Sequence, residues 1–192
     1  MKTNRLEAFS DGVIAILITI MVLELKVPHE ADLSALTPVL PVFLCYVLSF
    51  VYLGIYWNNH HHMFHAVRQV DGRVLWPNLH LLFWLSVVSF VTAWMGENPM
   101  AKAPAALYGF VLLMNALAWV VLQRALLRVE GPDSDLAKAV STGLKEKVSP
   151  LIYVAGIAGA FVYPPIAYAC YVAVAAWWFV PDRRVERQLG MG

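Results

Sequence analysis

The sequence predicts an all-α integral membrane protein with six transmembrane helices, and three observations carry that expectation. Hydrophobic residues make up 60 % of the 192 residues and charged ones only 14 %, too few polar groups to cover a water-soluble globule of this size. The apolar residues are gathered into runs that, at ~1.5 Å of rise per residue, cross most of a ~30 Å hydrocarbon core. In a six-span arrangement the basic residues also sort to one side, 12 against 2.

The first span, about residues 8–27, lies in the run from Arg5 to Leu25, where every residue from Val13 to Leu23 except Thr19 is apolar. At about 100° per residue, Ile16, Ile20, Leu23 and Val27 share one stripe, with Phe9 below it and Thr19 at its edge, while Asp11 points away. Asp11 interrupts the start of the run and no small-residue cleavage site precedes Lys26, so the run reads as a retained helix rather than a secretory signal. After a polar loop, the second span covers about 39–60 and ends in the run Asn58, Asn59, His60, His61, His62, which is expected to form a wet helix end. The third covers about 74–95 and opens with Trp76, Pro77, Asn78 and His80; the fourth covers about 104–127 and ends near Arg124 and Arg128.

Residues 130–147 form the one sizeable polar connection, where Ser134 or Asp135 can cap a short surface helix with Leu136, Val140 and Leu144 on one side. The Pro164-Pro165 pair would break a single long helix, so the last apolar stretch reads as a hairpin of two short spans, about 148–163 and 166–181. Six spans within a single domain, 1–192, place both termini on one side of the membrane. The positive-inside rule makes that side cytoplasmic: only Lys26 and Lys102 fall opposite.

Net charge is +1, which gives no field for nucleic acid, and Cys45 and Cys170 lie in apolar runs where no disulfide framework or metal spacing can be built. His61 and His65 share a helix face, but Asp71 is the sole acid nearby, so packing of the histidines is preferred to a metal centre. A carboxylate inside a spanning helix is costly and needs partners. A hydrogen-bonded knot of Arg5, Ser10, Asp11, Asn78 and His80 locking the first and third helices is the expected arrangement, with a proton relay through His80 as another use of the same residues.

The run RLEAFSDGVIAILITIMVLEL resembles the Arg-x-x-x-Phe-Ser-Asp opening helix of the transmembrane protein 175 family, the lysosomal potassium channel and its prokaryotic relatives. YWNNHHHMF, DGRVLWPNLHLLFWLSVVSFVTAWMGE and the late hairpin are also similar to that family, with Pro77 as a departure. The resemblance implies a potassium-permeable cation channel with no enzyme activity and no cofactor. Members with a single repeat like this one form homotetramers in which four first helices line a pore on the oligomer axis. It implies further that Ile16, Ile20 and Leu23 form the constriction, that Thr19 stands where a hydroxyl ring is assigned to selectivity, and that Asp11 is structural.

The chain has no TVGYG-type carbonyl filter, since Tyr108-Gly109-Phe110 lies inside the fourth span. Stacked Ile and Leu rings would gate by dewetting or side-chain closure, with modest selectivity for potassium over sodium, and Glu24 would gather cations at the outer mouth. The expected partners are monovalent cations, the lipid bilayer of the cell membrane and further copies of the chain. The alternative is a secondary transporter or a proton-coupled protein using Asp11 and His80. It lacks a convincing inverted repeat or midplane polar site.

Overall fold

The structure, a computed structural model, describes residues 3–67, 70–134, 136–137 and 144–179. Among these residues six long helices follow one another: α1 (Thr3–Ile20), α2 (Leu40–His65), α3 (Gly72–Glu97), α4 (Lys102–Glu130), α5 (Leu144–Val162) and α6 (Pro164–Phe179). By length and composition four stretches suffice to cross a membrane: α1 with its 3-10 extension Met21–Glu24, α2 with the 3-10 segment Leu33–Val39 before it, α3 and α4. The shorter α6 is apolar throughout and pairs with α5. This is a multi-pass membrane protein.

Local chemistry explains most of the helix ends. Asp71 caps α3, its carboxylate accepting from the Arg73 amide at 2.8 Å. Pro77 sits inside that helix without ending it. Gly131 ends α4 with φ at +89°, a conformation that disfavours any residue with a Cβ, and its amide donates to the Leu127 carbonyl at 3.0 Å. Pro164 opens α6, where a helix start has no use for the missing amide hydrogen. The two prolines therefore begin the sixth helix and do not lie between the fifth and sixth.

Two further boundaries differ from the sequence expectation. The polar run 58–62 does not end α2, which continues to His65 with His60 fully buried. The first span stops short of residue 27, because α1 tightens to 3-10 at Met21 and ends at Glu24, leaving Val27 beyond the helix. In the 130–147 connection Ser134 does act as a cap, its hydroxyl accepting from the Ala137 amide at 3.2 Å, and Leu136 is buried; Val140 lies outside the described residues.

The helices pack around a central α3–α4 pair, with α1 and α2 against α3 and the α5–α6 hairpin against α4. One apolar cluster fills the end that carries most of the basic residues, joining α1, α2, α3 and α4 through Leu6, Ile14, Phe64, Leu81 and Leu122. A second cluster at the opposite end joins α2 to α6. Three of its four buried tyrosines tie helices together: Tyr108 shares a hydrogen bond with Ser49 at 2.9 Å, Tyr52 donates to the Tyr171 carbonyl at 2.6 Å, and Tyr171 donates to the Ala105 carbonyl at 3.0 Å. Gly109 belongs to this packing: a Cβ there would stand 2.0 Å from the Tyr171 hydroxyl.

Candidate pore stripe and its polar anchor

The faces of α1 divide cleanly. Leu6, Ser10, Ile14, Leu17 and Met21 recur at helical spacing and are all buried against the rest of the subunit. About 100° round the helix, at ~100° per residue, Phe9, Ile16 and Ile20 are exposed, Ile16 at 59 %. Thr19 is exposed at the edge of this stripe, with its hydroxyl donating to the Ala15 and Ile16 carbonyls at 3.0 Å. The 3-10 turn then matters for Leu23, 77 % exposed. Three residues of a 3-10 helix make about one full turn, which stacks Leu23 over Ile20 instead of rotating it aside.

Glu24 is exposed at the end of the same segment. Just past it, Lys26 Nζ reaches Glu97 Oε1 at 2.6 Å and ties the end of α1 to the end of α3. The hydrogen bond and charge of Glu97 hold the Lys26 ammonium above its ordinary pKa.

On its packed side α1 is held by a chain of hydrogen bonds that crosses three helices. Asn78 Nδ2 of α3 donates to Ser10 Oγ at 2.9 Å, and Ser10 donates on to the Leu6 carbonyl at 2.9 Å. Asn78 Oδ1 lies 2.8 Å from His60 Nε2 of α2. A carbonyl oxygen only accepts, so this contact assigns the proton to Nε2 and makes His60 the donor. Ser10, Asn78 and His60 are each fully buried, and the imidazole stacks on Phe64 with centroids 4.3 Å apart.

A second layer joins α1 to α2 alone. Trp57 Nε1 donates to Asp11 Oδ1 at 3.1 Å, and His61 Nδ1 meets Glu7 Oε1 at 2.8 Å. The rings of Trp57 and His61 stack at an interplanar angle of 22°.

Of the residues expected in one knot, the structure brings together Ser10 and Asn78. Asp11 finds Trp57 as its partner and not His80. His80 is exposed and accepts from Trp84 Nε1 at 2.9 Å on its own helix; Arg5 is exposed and stands outside the cluster. Asp11 and His80, the residues of the proton-coupled alternative, bond to Trp57 and Trp84 respectively and not to each other. His60, Trp57, Glu7 and His61 were missed as members. One signal for the outer layer was available: Glu7 and Asp11 are four residues apart on α1, as are Trp57 and His61 on α2, so each pair presents a polar ladder on one helix face.

The family model for the endosomal/lysosomal potassium channel TMEM175 matches residues 5–88, which hold α1, α2 and the first part of α3. A potassium channel of Chryseobacterium sp. (strain P1-3) is 52 % identical over 189 residues, covering 98 % of either chain. A potassium channel of Streptomyces collinus is 33 % identical over 92 % of this chain and 91 % of its own. In three dimensions the fold is similar to the crystal structure of a lysosomal potassium-selective channel TMEM175 homolog from Chamaesiphon minutus. The TM-score is 0.79 at 29 % identity, over 92 % of this chain and 95 % of that one.

Proposed function

The chain belongs to the TMEM175 family of potassium channels, and from that premise we propose that four copies assemble around the exposed α1 stripe to form a potassium-permeable pore. The observation that carries this reading is the stripe itself. Ile16, Ile20 and Leu23 stand clear of the subunit on the exposed side of α1, which also carries Gly12, Ala15 and Thr19, while the sides bearing Ser10, Ile14 and Asp11 are packed or hydrogen-bonded. Four such stripes facing an axis would give three stacked apolar rings. These would constrict the pore and gate it by dewetting, so that conduction requires the helices to part.

Thr19 at the stripe's edge supplies a hydroxyl to the permeation path, and Glu24 places four carboxylates at one mouth. Rings of this kind strip little of an ion's hydration shell, so the preference for potassium over sodium is modest. The purified complex should have the mass of four chains and give a reversal potential displaced toward potassium when potassium and sodium bath opposite sides of a bilayer. A monodisperse, inserted protein that carries no current would overturn the channel reading.

The distribution of basic residues, 12 against 2, supports a cell-membrane orientation with both termini in the cytoplasm. In a chain lacking Cys45 and Cys170, a membrane-impermeant maleimide applied to intact cells should label Met100→Cys and spare Asp133→Cys. The reverse pattern would invert the topology.

A further inference from the structure

The pore uses α1 and leaves unexplained a cleft of about 460 Å³, counting its open mouth, between α2, α4, α5 and α6. Its walls are aromatic: Tyr56, Trp119, Tyr153 and Trp178 all line it. These rings are held in place. Trp178 Nε1 donates to the Ser149 hydroxyl at 2.9 Å, and Tyr56 and Trp119 meet edge to face with centroids 6.1 Å apart. One acid, Glu146, stands among them, and Gln123 Nε2 donates to its Oε1 at 2.9 Å. Among the described residues Glu146 forms no ion pair with a basic side chain.

The chemistry of the lining selects among occupants. A neutral hydrocarbon gains nothing from the acid and an anion is repelled by it. A small hydrated metal ion would have one carboxylate against a mostly apolar wall, too few oxygens to replace its water. An organic ammonium with an apolar body gains twice, from the carboxylate and from the negative faces of the rings. Trp178 already attracts such a group, since Lys145 Nζ lies 5.8 Å from its ring centroid. We propose that this cleft is a binding site for an amphipathic organic ammonium ion, with Glu146 as counter-charge and Trp119, Tyr153 and Trp178 as its aromatic walls.

The test uses full-length protein in lipid nanodiscs, with phenyltrimethylammonium as probe and its uncharged isostere tert-butylbenzene as control. Binding is read by saturation-transfer NMR and by tryptophan quenching. Phenyltrimethylammonium should bind saturably, and Glu146→Gln should weaken it at least tenfold, equivalent to about 1.4 kcal/mol. Val120→Trp, which fills the cleft without touching its charge, should abolish binding and decides the matter if Glu146→Gln does not fold. Ile16→Asn, on the pore stripe, should leave binding unchanged. Equal binding of the isostere, or binding unaffected by either cleft variant, would overturn the proposal and leave the cleft as an apolar seat for acyl chains.

Discussion

Replacing Ile16 with asparagine is expected to leave the complex assembled, to raise cation current by an order of magnitude or more, and to collapse the reversal potential toward zero. Ile16 is 59 % exposed in its own subunit, so the substitution removes little packing, and surface changes of this kind usually shift stability by no more than about 0.5 kcal/mol. In the proposed tetramer its effect falls on the pore. An apolar ring excludes ions because the narrow space empties of water, and four amides at the same level would keep it wet. Lowering the barrier by only about 1.4 kcal/mol multiplies the rate tenfold. A wetter ring also distinguishes less between potassium and sodium. Ile14, two residues earlier and fully buried, is the control: Ile14→Asn places an amide in the core and should yield little folded protein. Single-channel recording and size-exclusion profiles separate the two. A wild-type current from well-assembled Ile16→Asn would remove this residue from the constriction.

That contrast between Ile16 and Ile14 was half legible in the sequence. The helical wheel groups Ile16 with Ile20 and Leu23, because a spanning helix must be long and apolar and its periodicity is fixed at 3.6 residues. It cannot say which stripe is packed, since every stripe of such a helix is apolar. The 3-10 turn that stacks Leu23 over Ile20 was equally hidden, as nothing in MVLE signals a change of pitch. The histidine run reads as a wet helix end with one or two histidines in packing contacts, but nothing in it says which histidine packs or how deeply. His60 is fully buried, with Asn78 satisfying its N–H. Burial of a polar group depends on whether a partner from another helix reaches it, and that is tertiary information. Ser10 and Asn78 could be named because each stands near the start of a span on the same side of the membrane. His60, at the end of the span between them, meets that criterion too, but the polar run around it disguised it.

Asn78→Ala should be the most damaging single change in the anchor, lowering the melting temperature of the detergent-solubilised complex by several degrees more than Asp11→Ala does. Removing the amide takes away the N–H that Ser10 Oγ accepts, although Ser10 still donates to the Leu6 carbonyl, and leaves the buried His60 Nε2–H without its acceptor. Each such loss costs roughly 1–3 kcal/mol in a protein core, though polar contacts between membrane helices average nearer ~0.6 kcal/mol. Two losses in one substitution, shared by α1, α2 and α3, therefore outweigh the single contact that Asp11 makes to Trp57, itself 46 % exposed. The distinguishing experiment is restoration. Asn78→Leu leaves the imidazole stranded, whereas Asn78→Leu combined with His60→Phe removes donor and acceptor together and keeps the ring stacked on Phe64. If the penalty is the unmet polar group, the double variant should melt above the Asn78→Leu single variant. If it melts lower by the sum of the two single effects, Asn78 and His60 act independently and the three-helix chain is not what anchors α1. Because α1 also carries the stripe, recovered stability with altered conduction would show that the network sets the position of α1 in the proposed pore as well as its attachment.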